Sequence, residues 1–113
     1  MDKDKLFLKY LKQAQIQMEC TYSGDYKLGN KASTDLEKYN NLIIQDFNNY
    51  REVIDKLLQS SNPNVIIWIS VVAFKLKYNV DFVTMKLKEI SSNKTLGIIR
   101  FDAEMTLKTN NLL

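Results

Sequence analysis

Histidine is absent from this chain. Its absence removes the usual general base, the usual activator of a nucleophile and the commonest transition-metal ligand, so most hydrolase mechanisms lose their central group. Cysteine occurs once, at Cys20, which rules out an internal disulfide. A reducing, cytoplasmic setting is therefore expected, and the start MDKDKLFLKYLKQ breaks its apolar residues with charges where a secretory signal needs a continuous apolar core. One proline and three glycines leave few breaks for a fold of many short strands, which favours long helices. Gly24, Gly29 and Gly97 stand apart from one another, so no phosphate-cradling loop and no cofactor is expected. With no His or second Cys there is no zinc set, and Asp81, Glu89, Asp102 and Glu104 lack the spacing of a calcium loop.

A membrane span is the other thing missing. The longest apolar run, Val65 to Phe74, is far shorter than the about 20 residues needed to cross a bilayer. It is either a buried strand or a buried helix, and its flanks decide. Asn62 is a good helix N-cap, and Pro63 suits the first helical position, where its missing N–H has no partner to lose. The run then continues through Leu76 and Tyr78, too long for an average strand. The spacing predicts a helix that is apolar nearly all round, buried between others, with Trp68 in the core.

What is present elsewhere is helical periodicity. Phe7, Leu11, Ala14 and Met18, widened by Leu6 and Tyr10, mark a first helix over residues 2 to 21. Ala32, Leu36, Tyr39, Ile43 and Phe47 mark a second over about 27 to 46, with Gly29 as a weak point. The third shows the clearest stripe, Tyr50, Val53, Ile54, Leu57 and Leu58, and ends at Ser60-Ser61-Asn62. Beyond the apolar helix, Asn79 and Asp81 can cap a fifth, with Val83, Leu87 and Ile90 as its stripe and Ser91-Ser92-Asn93 as its close. A sixth begins near Thr95 to Gly97, its stripe read as Ile98, Phe101 and Met105 with Ala103 and Leu107 on the adjoining face. The expectation is a single all-α domain over 1–113, its six helices stacked as antiparallel pairs in a short superhelix, with a simple bundle as the alternative. No internal repeat of 30 to 50 residues is visible.

Two motifs carry a family resemblance. NPNVIIW, residues 62–68, resembles the entry to the second helix of HEAT-like repeats, and FDAEMTL, residues 101–107, resembles the C-terminal signature of a small bacterial domain family of unknown function, number twenty-nineteen in its series. The likeness is loose from about Gly24 and close from 62 to 107. It implies a HEAT- or armadillo-like fold and, since some members lie beside toxin genes, an immunity-type role against a toxin domain. The chain departs from the pattern at Ile66, Ile69 and Ser70, and in its tail from Lys108 to Leu113.

The residues allow three function classes. An enzyme is disfavoured: Asp102 and Glu104 are two apart and point about 200° from each other on a helix, so they cannot act as paired carboxylates. Asp102 is expected in the first turns, favoured by the helix dipole. Cys20 reads as a small core or boundary residue. A nucleic-acid-binding module is the alternative, because the excess of +3 charges falls in residues 61–113, where Lys75, Lys77, Lys86, Lys88 and Lys94 could form a basic face. With Arg51 and Arg100 as the only arginines, that signal is thin. The leading expectation is a protein-binding module, for which Tyr22, Tyr26, Asn40, Asn41, Asn48 and Asn49, beside Tyr50, offer an uncharged aromatic and amide surface.

Overall fold

The computed structural model describes all 113 residues, and they form six α-helices with no strand. α1 runs Lys3–Ser23. It starts where Asp2 accepts a hydrogen bond from the Lys5 amide and stops at Gly24, whose left-handed backbone (φ 81°) returns its N–H to the Cys20 carbonyl. Asp25 caps α2, Tyr26–Gln45, in the same way. A single residue, Asp46, separates α2 from α3, Phe47–Leu58.

α4, Pro63–Leu76, begins as its sequence predicts: Asn62 Oδ1 accepts from the Asn64 amide at 2.9 Å and Pro63 occupies the first turn. It ends at Lys77 in the left-handed region (φ 54°). α5 is Val80–Ser92. Asn79 precedes it, also left-handed, and makes no side-chain cap, so only Asp81 in the first turn complements that end. A short 3-10 turn, Lys94–Leu96, then leads to α6, Ile98–Thr109.

Consecutive pairs touch, as expected of stacked hairpins. α1 and α2 are antiparallel: Tyr10 meets Tyr39 and Asn40 near one end, and Cys20 meets Gly29 near the other. A side chain at Gly29 would place its Cβ 3.1 Å from that of Cys20, so this glycine permits close approach where the sequence showed only a weak point. α4 contacts all five other helices, and α1 meets α6, so the pairs also close around a central helix.

The core follows the stripes in α3, where Tyr50, Val53, Ile54, Leu57 and Leu58 are all buried, and in α5, where Val83, Leu87 and Ile90 are. In α1 the buried line is Leu6, Tyr10 and Ala14, with Phe7, Leu11 and Met18 only partly covered. Two further expectations fail. Trp68 is half-buried at the core's edge rather than inside it, and Val71 on the same side of α4 is 51% exposed. α6 is rotated: Ile99, Ala103 and Leu107 are buried, whereas Ile98, Phe101 and Met105 face outward. The small Ala103 lies in the middle of the inward line and lets α6 lie close against its neighbours.

Candidate protein-contact surface

The rotation of α6 leaves an apolar stripe on the surface. Ile98, Phe101 and Met105 fall at i, i+3 and i+7 and are 49%, 53% and 58% exposed. At one end Met105 shares a groove of about 380 Å³ with Val71, Phe74 and Lys75 of α4 and with Thr106, Thr109 and Asn110. At the other, Ile98 shares a groove with Tyr26, Cys20, Gly29 and their neighbours at the turn between α1 and α2. The stripe thus links the edge of α4 to the start of α2. Asp102 lies within it, in the second turn of α6, and desolvation by its surroundings pushes its carboxyl above the ordinary range although the side chain remains exposed. Arg100 is half-buried alongside, its guanidinium 5.0 Å from the Phe101 ring centre and its Nε without a partner.

The six uncharged residues singled out in the sequence do not form one surface. Asn40 is 5% exposed and belongs to the core: it accepts from the Tyr10 hydroxyl at 2.6 Å and donates to the Trp68 carbonyl at 3.0 Å, joining α1, α2 and α4. Burial holds the Tyr10 phenol well above its ordinary pKa, as a neutral donor. Asn40 stands four residues after Leu36 and three before Ile43, so its spacing puts it on the buried face although its polarity suggests the surface. Tyr50 is buried as well, donating to the Met1 carbonyl at 2.8 Å. Asn41, Asn48 and Asn49 are exposed, but they lie about 20 Å along α2 from Tyr26 or beyond, on α3. Tyr22 and Tyr26 remain near the α6 stripe; the Tyr22 hydroxyl donates to the Leu96 carbonyl, and Tyr26 is 80% exposed.

The five lysines of the basic second half are also dispersed. Lys75 and Lys77 lie at the end of α4 and Lys94 beyond the far end of α5, while Lys86 and Lys88 point about 200° apart. Lys86 is moreover engaged with Glu89 at 3.9 Å and over the Phe82 ring.

A second polar tie escaped sequence reasoning. Asn64, buried at the start of α4, donates to the Ala14 carbonyl at 2.8 Å and to Gln17 Oε1 at 2.7 Å; Trp68 Nε1 donates to the same Gln17 oxygen at 3.4 Å. These bonds satisfy the buried amide internally. Their work is to dock α4 on α1.

Glu104 pairs with Lys108 at 3.6 Å, away from Asp102. No three Cys, Asp or Glu side chains converge as a ligand set. Burial, then the charges of Asp25 and Glu19, raise the Cys20 thiol pKa, the reverse of what a nucleophile needs. No helix is long and apolar enough to cross a membrane. No protein-family model, curated protein or solved structure matches the chain.

Proposed function

We propose that this chain is a non-enzymatic protein-binding module that meets its partner through the outward face of α6 and the adjoining edge of α4. The observation that supports it is the exposure of Ile98, Phe101 and Met105 on one face, continuous with Val71 and Phe74. Contiguous apolar side chains left in water mark contact sites, and aromatic residues and Met are enriched at such sites. The family resemblance specifies the reading further: the partner is a toxin domain, the chain is its immunity-type antagonist, and the pair meets in the cytoplasm. In FDAEMTL, Ala103 and Leu107 serve the core while Phe101 and Met105 face solvent, so one short string supplies both the fold and the contact.

The reading requires a stoichiometric effect without turnover. Tagged protein should recover one protein partner at a one-to-one ratio, and Phe101→Asp combined with Met105→Asp should abolish recovery while leaving the helical circular dichroism unchanged. Retention of the partner by that double variant would remove the α6 face from the proposal. Recovery only of nucleic acid, lost as salt rises, would replace protein binding with the basic-surface alternative. For the immunity specification, co-expression should relieve growth arrest by a toxin encoded beside the gene.

A further inference from the structure

Lys5, Lys9 and Lys12 are four and three residues apart and share one face of α1, with Leu8 among them. All four are exposed, Leu8 to 63%. The face is turned away from the core, which α1 meets through Leu6, Tyr10 and Ala14. None of the three ammonium groups is neutralised. The ion pairs of the molecule engage Lys3, Lys56, Lys86 and Lys108 instead. Asp2 is occupied with the Lys5 amide, Asp4 pairs with Lys56 of α3, and neither Asp35 nor Glu37 on the adjoining α2 forms an ion pair with this face.

For the stability of α1 this arrangement is unfavourable. Like charges at i, i+4 and i, i+3 repel, Lys5 opposes the positive end of the helix dipole, and Leu8 is left in water. We propose that this face is a docking surface for an acidic protein surface, whose carboxylates meet Lys5, Lys9 and Lys12 around an apolar contact with Leu8. The chemistry favours protein over the other anionic partners. Interfacial membrane helices insert a whole apolar face, but that of α1 is committed to the core and leaves one leucine. Single-stranded nucleic acid is gripped by stacking on aromatic rings and arginine planes, and this face carries neither.

The inference shares with the proposed function only the premise that the chain works by contact, and its surface is tested separately. Fluorescence anisotropy would compare three probes: a labelled synthetic peptide of Asp, Glu and Leu, a labelled single-stranded oligonucleotide, and phosphatidylglycerol vesicles. The acidic peptide should bind at low salt. The triple variant Lys5→Glu, Lys9→Glu, Lys12→Glu should weaken it by about tenfold or more, as expected when complementary charges become like charges. Lys75→Glu, Lys77→Glu, Lys88→Glu, with the same net charge, should bind as the parent does, and so should Phe101→Asp with Met105→Asp. Leu8→Ser should weaken the salt-resistant part of binding. Charge reversal leaves like charges along α1 but turns the interaction of position 5 with the helix dipole favourable, so the triple variant should keep the parent's helical circular dichroism; should it unfold, Lys→Gln at the same three positions, which removes the repulsion, must show the loss. No binding by the parent, equal loss in the net-charge control, or tighter Lys5-dependent binding of the oligonucleotide or vesicles would overturn the proposal.

Discussion

α3 and α6 are the same length, twelve residues each, yet only one of them could be oriented by its sequence. In α3 every residue between the apolar positions is charged or an amide: Asn48, Asn49, Arg51, Glu52, Asp55 and Lys56 are all exposed. One rotation buries the stripe and hydrates the rest. α6 has apolar residues on two sides, and two rotations bury a similar bulk: Ile98 with Phe101 and Met105, or Ile99 with Ala103 and Leu107. A helix with one apolar face has its orientation fixed by solvation, whereas a helix with two is oriented by the shape of what it packs against. The apolar side left over becomes a feature of the surface.

The largest effect that bears on this contrast is core truncation. Leu57→Ala in α3 and Leu107→Ala in α6, both at fully buried residues, should each cost ~2–5 kcal/mol in urea unfolding. Equal costs would confirm that the two helices contribute alike to the core although only one was legible. Asn40→Ala should come next, at ~1–3 kcal/mol, because it strands the Tyr10 hydroxyl and one bond of the Trp68 carbonyl. Asn41→Ala, one residue on and exposed, should change stability by less than ~0.5 kcal/mol. Met105→Ala should also fall within about 0.5 kcal/mol of the parent; a cost near that of Leu107→Ala would restore the rotation that the spacing of Ile98, Phe101 and Met105 suggested.

The smallest effect concerns Asp102. Its carboxyl titrates above the ordinary value through desolvation, so the folded state holds the proton more tightly than the unfolded chain does. The associated stability is fully present below the unfolded carboxyl pKa and is lost as pH rises through the folded one. Asp102→Asn should therefore raise the melting temperature slightly at pH 7, with the difference vanishing as pH falls below the carboxylate range. A lowered melting temperature at pH 7 would mean that the charge is compensated on the α6 face.

Helix existence was legible because it depends on neighbours along the chain. Asn62 followed by Pro63 started α4, Gly24 ended α1, and the heptad-like spacing of Tyr50 to Leu58 told which side of α3 would be dry. The candidate surface was far less legible. The five lysines from Lys75 to Lys94 were grouped by their proximity in sequence, but two turned to opposite sides of α5 and the others went to opposite ends of the α4 and α5 pair. The amides were grouped by type, and Asn40 proved to be core because a buried tyrosine and a helix carbonyl needed its two polar ends.

The sequence by itself determined six helices, the Asn62-Pro63 start of α4 and the dry side of α3 and α5, since backbone hydrogen bonding and apolar periodicity are local in the chain. Only the tertiary structure decided that Trp68 would lie at the edge of the core, that Gly29 would be the point of closest approach to Cys20, and that α6 would show Phe101 and Met105 to solvent. Those outcomes depend on how side chains of particular shape fill space against helices distant in sequence, and packing at that density is a property of the assembled molecule rather than of any segment.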